Sequence, residues 1–197
     1  MKHPDNIDNL DKLPIDFVGM IFYEKSPRHI DNLNPEEIKT KGKELVGVFV
    51  NAPETEIMQM VNKYNLDIVQ LHGNESPEFC KKLNETIPVI KAFSIADASD
   101  FEQTKDYEGL WGYFLFDTKT PQYGGSGQKF DWQILEEYKG NTPFLLSGGI
   151  SVDDAEAIKK ITHLRFVGID LNSRFETKPG LKDINLLQQF IKTLNDE

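Results

Sequence analysis

Residues 45–71 read LVGVFVNAPETEIMQMVNKYNLDIVQL, and their pattern predicts a strand, a helix and a second strand. The runs LVGVFV (45–50) and DIVQL (67–71) are nearly continuous in hydrophobicity, which is typical of strands buried on both faces of a parallel sheet. Between the two runs, apolar residues recur at helical spacing after a proline and two glutamates. They are Ile57, Met60, Val61 and Tyr64.

The same unit recurs along the chain. Five further runs are predicted as strands: FVGMIFY (17–23), VIKAF (89–93), YFLFD (113–117), FLLS (144–147) and FVGIDL (166–171). Helices are predicted to start near Pro4, Ser76, Asp131 and Ser151, and a last helix runs through Ile184 to Leu194. This alternation predicts an α/β fold, a (β/α)8 TIM barrel in one domain spanning residues 1–197. Because only seven strands are predicted and the barrel has eight, we expect an N-terminally truncated barrel without its first strand.

Composition and net charge indicate which kinds of molecule the protein can bind. The 197 residues are 39% apolar and 27% charged, as in an ordinary globular protein with one core. A formal net charge of −10 argues against nucleic acid and anionic membranes, although a small anion can still bind where backbone N–H groups and an arginine converge. A single cysteine, no long apolar stretch and a polar N-terminus predict a cytoplasmic protein.

Candidate site residues follow the predicted strands, because the active site of a βα barrel lies at the carboxyl ends of its strands. The polar candidates are Arg28, Gln70, His72, Asp117 and Asp170. Asp117 is either a general acid or an N-cap or ion-pair partner of Lys119. Arg28 either binds a substrate carboxylate or is an ordinary surface arginine, and a lone histidine such as His72 is more often a loop residue than a catalyst.

Two turns, one of them a glycine pair, suggest an anion site. Gly148-Gly149 and Asn172-Ser173 follow the last two strands, where exposed backbone N–H groups commonly hold a phosphate in such barrels. One Gly pair alone would more simply be a tight turn, but the two segments together favour a phosphate site. Residues 124–127 (GGSG) lack the spacing of a nucleotide-binding loop and are expected to form a mobile flap over the site. No cluster has metal-ligand spacing, so no metal is expected, and Cys80 is interpreted as inert core.

Six ordered blocks give the chain a resemblance to the phosphoribosylanthranilate isomerase family of tryptophan biosynthesis. They are GMIFYEKSPR (19–28), VGVFVN (46–51), VQLHGNE (69–75), FDTKTPQYGGSGQKFDW (116–132), LLSGGI (145–150) and GIDLNSRFETKPGLKD (168–183). The resemblance implies a cofactor-independent Amadori rearrangement of N-(5-phosphoribosyl)anthranilate. It also implies that Asp117 is the general acid and Arg28 binds the anthranilate carboxylate. Phosphate is then expected at Gly148, Gly149, Asn172 and Ser173, with Gln70, His72 and Asp170 lining the pocket.

The chain departs from the family pattern at its start. Members of the family open with a strand that ends in a Lys-Ile/Val-Cys-Gly type motif, whose cysteine is the general base, and no such motif is present in this sequence. Three explanations are open: a start at an internal Met, which we favour, an inactive relative, or substitution by another group. We expect the isomerase activity of this chain to be impaired, because the general-base cysteine is absent. The alternative function is a non-catalytic binding protein for a phosphorylated metabolite on the same barrel.

Overall fold

The computed structural model describes residues 1–31, 33–109, 112–118 and 130–196. Its main sheet has seven parallel strands paired in chain order, from β1 to β7. The strands are β1 (Phe17–Ile21), β2 (Glu44–Phe49), β3 (Ile68–Leu71), β4 (Val89–Ile95), β5 (Phe114–Thr118), β6 (Phe144–Leu146) and β7 (Phe166–Ile169). The predicted seven-stranded parallel sheet is therefore confirmed, and consecutive parallel strands joined by helices give a barrel-like α/β fold.

Helical segments connect the strands. The α-helices are α1 (Pro4–Leu10), α2 (Glu54–Tyr64), α3 (Pro77–Asn84), α4 (Ala155–Ile158) and α5 (Ile184–Asn195). Shorter 3₁₀ helices span Pro35–Glu37, Ala98–Tyr107, Trp132–Glu137, Val152–Asp154 and Ser173–Phe175. In the described part of the chain, none of the helices is long and apolar enough to cross a membrane.

The predicted helix starts are largely confirmed by their caps. Ser76 Oγ accepts a hydrogen bond from Phe79 N at 3.2 Å, and Asp131 Oδ1 accepts one from Gln133 N at 3.0 Å. The segment after Asp131 nevertheless forms a 3₁₀ helix, so the predicted α-helix there is wrong in type. Its six residues provide few α-helical hydrogen bonds, and packing of the buried Leu135 suffices to hold the tighter turn.

Burial separates the central strands from the outer ones. Strands β3 and β5 are buried at every position, as their continuous hydrophobicity predicts. In β1 and β7 the prediction of burial on both faces is wrong: Gly19 is exposed and Val167 is 53% exposed. These strands are the two ends of the described sheet, so no neighbouring strand covers these positions.

A small hairpin near the C-terminus was not predicted. Strands β8 (Glu176–Lys178) and β9 (Leu181–Lys182) pair antiparallel, and Gly180 turns between them with φ +82°. The buried Asn6 of α1 fixes the hairpin, because its side chain donates to Lys182 O at 3.0 Å and accepts from Lys182 N at 2.8 Å. The N-terminal helix thereby fixes the position of Glu176 and Lys182.

Candidate active site

A cavity of about 720 Å³ opens at the carboxyl ends of the strands and extends into the barrel interior. All nine candidate residues line it: Arg28, Gln70, His72, Asp117, Gly148, Gly149, Asp170, Asn172 and Ser173. Parallel strands present their carboxyl ends at the same end of a barrel, so residues distant in sequence converge there. The predicted flap at residues 124–127, and Lys119, lie outside the described residues.

A chain of polar contacts crosses the cavity floor from β3 to β5. Gln70 Nε2 lies 3.0 Å from His72 Nδ1, and His72 Nε2 lies 3.3 Å from Asp117 Oδ2. The other carboxylate oxygen of Asp117 accepts a hydrogen bond from Thr118 N at 2.8 Å. These contacts hold the Asp117 carboxyl group in one orientation at the edge of the cavity, where it can transfer a proton to a bound molecule.

Gly148 packs directly against Asp117. Its φ is +91°, and a Cβ atom at this position would lie 2.6 Å from Thr118 N and 2.7 Å from Asp117 Oδ1. A side chain is therefore excluded both by the backbone conformation and by the space available. Gly149 also has a positive φ, +67°. The turn after β6 thus brings its backbone close to the carboxylate of β5.

Arg28 faces Glu176 on the opposite side of the cavity. Arg28 Nε lies 2.8 Å from Glu176 Oε2, and an Arg28 terminal nitrogen lies 2.7 Å from the same oxygen. Glu176 also accepts from Gly180 N at 3.1 Å and lies 3.4 Å from Lys182 Nζ. Although burial opposes ionisation of Glu176, the hydrogen bond from Arg28 and the charge of Lys182 lower its pKa overall. A guanidinium carries five N–H donors, so Arg28 can pair with Glu176 and still offer its outer edge to a second carboxylate.

Asp170 lies between these two groups, at the end of β7. Its carboxylate accepts a hydrogen bond from Ser147 Oγ at 3.1 Å. Burial raises the pKa of Asp170, and the charge of Lys182 partly opposes that rise. Lys182 Nζ in turn contacts Asn172 O at 3.1 Å and Asn172 Oδ1 at 3.0 Å, and burial lowers the pKa of this lysine. A cation therefore lies beside the segment predicted to hold phosphate.

The sequence did not single out Glu176, Lys182 or Ser147 as site residues, yet all three line the cavity. Each lies in or beside a sequence block that resembles the isomerase family. That resemblance was the signal that could have identified them as site residues. Cys80 lies on α3, and burial raises the pKa of its thiol to about 11, as suits inert core. Among the described residues, no group of three or more His, Cys, Asp or Glu side chains could hold a metal ion.

Comparison with protein families decides the affiliation. The family model described as N-(5'-phosphoribosyl)anthranilate isomerase matches residues 1–193. The chain belongs to this isomerase family. An N-(5'-phosphoribosyl)anthranilate isomerase of Parabacteroides distasonis is 52% identical over 199 residues, which cover 98% of this chain and 90% of that protein.

Solved isomerase structures have the same fold. The isomerase of Thermotoga maritima superposes with a TM-score of 0.87 at 33% identity, covering 98% of this chain and 95% of that one. A second isomerase structure was solved in complex with reduced 1-(o-carboxyphenylamino)-1-deoxyribulose 5-phosphate. It superposes with a TM-score of 0.83 at 30% identity, covering 98% of this chain and 94% of that one. These relatives support an isomerase; they give no support to the binding-protein alternative or to the expected impairment.

Proposed function

We infer that the protein catalyses the Amadori rearrangement of N-(5'-phosphoribosyl)anthranilate in tryptophan biosynthesis. Family membership and the convergence of all nine candidate residues on one cavity carry this conclusion. The reaction is an aldose–ketose isomerisation, so substrate and product have the same atoms and no redox partner is consumed. The direct test is turnover of N-(5'-phosphoribosyl)anthranilate by the purified chain, followed by the change in anthranilate fluorescence. A folded protein that binds the substrate without converting it would contradict the proposal.

Asp117 is the proposed general acid for the first proton transfer. It gives its proton to the furanose ring oxygen while the bond from C1 to that oxygen breaks, which opens the sugar to a Schiff base. Its place on a buried strand, with contacts to His72 and to Thr118 N, supports this role because the carboxyl group has little freedom to turn away. A general base, which the family resemblance places on a cysteine at the end of the first barrel strand, then takes the C2 proton to give an enolamine. The enolamine becomes the ketone when C1 takes up a proton and the 2-hydroxyl group releases one.

Arg28 is proposed to bind the anthranilate carboxylate with the guanidinium edge that Glu176 leaves free. Arg28→Lys keeps the positive charge but loses the planar fork, so we expect KM to rise about tenfold with little change in kcat. Arg165→Lys is the control, because Arg165 is exposed and precedes β7 at the other end of the barrel. Steady-state kinetics of both variants provides the measurement. An unchanged KM in Arg28→Lys would remove Arg28 from the binding site.

The phosphate is proposed to bind at the turns after β6 and β7. Gly148, Gly149, Asn172 and Ser173 all line the same part of the cavity wall, and backbone N–H groups at such turns complement an anion. The ammonium of Lys182, 3.0 Å from Asn172 Oδ1, adds positive charge beside them. Gln70, His72 and Asp170 are proposed to contact the sugar and the linking nitrogen between the two anionic ends.

We further propose that the architecture is a (β/α)8 TIM barrel without its first strand, whose position lies between β7 and β1. Both strands are sheet ends in the described chain, and the Met1 amino group donates to Gly19 O along the free side of β1. The family resemblance places the general base, a cysteine, at the end of a strand in that position. Cys80 does not fit this role, since it is buried on α3.

An added strand tests this architecture. Fusing a family-type strand ending in Cys-Gly ahead of Met1 is expected to slow amide exchange in β1 and β7 and to raise the thermal midpoint, because paired backbone groups exchange more slowly. An extension of equal length with alternating prolines is the control, since proline cannot complete the ladder. Equal exchange in both extensions would refute the eighth position. If the added cysteine is the base, changing it to alanine should lower turnover and leave amide exchange unchanged.

The remaining sequence predictions are kept as proposals. We propose one domain for residues 1–197, a cytoplasmic location, a small phosphorylated substrate as the partner and no cofactor. The acidic net charge of −10 supports the absence of nucleic-acid or membrane partners.

A further inference from the structure

A buried ion pair lies beneath the loop that carries His72. Lys91 on β4 and Glu75, just before α3, are each 3% exposed in their side chains, and Lys91 Nζ lies 3.1 Å from Glu75 Oε2. Removing two charges from water is costly, and a well-packed apolar pair is often at least as stable. Of the described residues in this region, Gln70 and His72 line the cavity, whereas Lys91 and Glu75 do not.

The contacts of Lys91 converge on the backbone around His72. Its ammonium donates to Leu71 O at 3.3 Å and to Gly73 O at 2.7 Å, the carbonyl groups on either side of the histidine. The Phe93 ring lies 5.6 Å from the same nitrogen and shields it from water. A single buried cation therefore binds the Leu71–His72 peptide group and, one peptide further along, the Gly73–Asn74 group.

Glu75 completes the fixation from the other side. Its carboxylate accepts from Gly73 N at 3.0 Å and from Asn51 N at 2.8 Å, which ties the loop after β3 to the loop after β2. The two loops pack closely at Gly73, because a Cβ on this residue would lie 2.5 Å from Asn51 Oδ1. The Tyr107 hydroxyl donates to Glu75 O at 2.8 Å and anchors the glutamate backbone as well.

We propose that Lys91 and Glu75 are positioning residues for the isomerisation, which act by holding His72 against Asp117. This inference rests on the proposed function, in which Asp117 is the proton donor. The 3.3 Å contact between His72 Nε2 and Asp117 Oδ2 depends on the course of the loop at residues 71–73. Lys91 binds the peptide group before His72 through Leu71 O, and Glu75 binds the peptide group after it through Gly73 N. A pair that only stabilised the barrel would not need to direct its hydrogen bonds to the peptides beside His72.

Histidine NMR signals test the positioning without any assay of activity. The chain has four histidines, His3, His29, His72 and His163, so [15N]histidine labelling gives few signals, and His72→Gln assigns the one that matters. Lys91→Met and Glu75→Gln are each expected to shift the His72 ring signals and to leave His163 unchanged. Glu75→Gln keeps the size of the side chain and one acceptor oxygen. It provides the same test if Lys91→Met fails to fold.

Glu108→Gln is the matched control at the opposite end of the barrel. The Glu108 carboxylate accepts from Thr142 Oγ1 at 2.8 Å and from Tyr138 OH at 3.1 Å, and His163 Nε2 lies 3.0 Å from Tyr138 O. This variant should shift His163 and leave His72 unchanged. If Lys91→Met lowers the thermal midpoint but leaves the His72 ring signals in place, the pair is structural only and the proposal is overturned.

A kinetic cycle provides the second readout. Lys91→Met alone should lower kcat about tenfold or more with KM nearly unchanged, because a misplaced catalytic group slows the chemical step. In a His72→Gln background the same change should have little further effect, whereas independent roles would give losses that multiply. Multiplying losses would overturn the proposal. If neither the parent chain nor the chain extended by the Cys-Gly strand shows isomerase turnover, the proposed function fails, while the NMR experiment still decides whether the pair positions His72.

Discussion

Asp117→Asn is expected to lower kcat by about 10²–10⁴-fold, the usual contribution of a general acid, with KM nearly unchanged. Asparagine has the shape of aspartate and can still accept a hydrogen bond from Thr118 N, so the turn at the end of β5 should be preserved. It cannot give a proton to the ring oxygen. The loss therefore falls on the chemical step. The steady-state rate at saturating substrate, which gives kcat, measures it.

Asp67→Asn is the control for this substitution. Asp67 is exposed, lies just before β3 and accepts a hydrogen bond from Leu45 N at 2.8 Å, which an asparagine oxygen can also accept. Its turnover should match that of the parent chain. If Asp117→Asn retains more than about a tenth of the parent kcat, Asp117 is not the acid and another proton donor must be sought in the cavity.

The sequence predicted which residues line the cavity more completely than it predicted the fold. Candidates such as Arg28, His72 and Asp170 could be recognised because they follow predicted strands, and in a parallel barrel that position alone places a residue at the mouth of the cavity. No knowledge of side-chain packing was needed. The roles of these residues are still predictions, since the structure fixes only where they lie.

The hairpin that carries Glu176 and Lys182 could not be predicted in the same way. Its strands have three and two residues, several of them charged, and so show no alternation of apolar and polar positions. Its position depends on the side chain of Asn6, about 170 residues earlier in the chain. Local patterns do not contain such long-range contacts. The exposure of Val167 could not be predicted either, because hydrophobicity indicates a strand but not whether a neighbouring element covers it.

Lys91 illustrates a different limit. Within the apolar run of β4 a lysine would ordinarily be expected to reach solvent, yet its side chain is almost fully buried. Four acceptors, three of them backbone carbonyls, replace water around its ammonium. Since carbonyl groups belong to every residue, the sequence gives no sign that they will converge at one point. Buried charges of this kind are found only when the fold is known.

Gly148→Ala is expected to lower kcat/KM by about 10²-fold, because the added methyl group must displace the Asp117 carboxylate or the Gly148 turn. The new Cβ would lie 2.6 Å from Thr118 N and 2.7 Å from Asp117 Oδ1, and both belong to buried residues of β5 that have little room to move. The same turn is part of the proposed phosphate site. Inhibition by inorganic phosphate should therefore weaken along with the loss of turnover.

Gly109→Ala is the control that shows whether backbone strain alone causes the loss of turnover in Gly148→Ala. Gly109 has φ +89°, nearly the same as the +91° of Gly148, but a Cβ there meets none of the described residues within 4 Å. Both substitutions should cost about 1–2 kcal/mol of unfolding free energy for placing alanine in the left-handed region, and urea denaturation measures this. Only Gly148→Ala should lose turnover and phosphate affinity. If the two variants lose turnover equally, strain alone accounts for the effect, and the contact between the Gly148 turn and Asp117 has no role in the reaction.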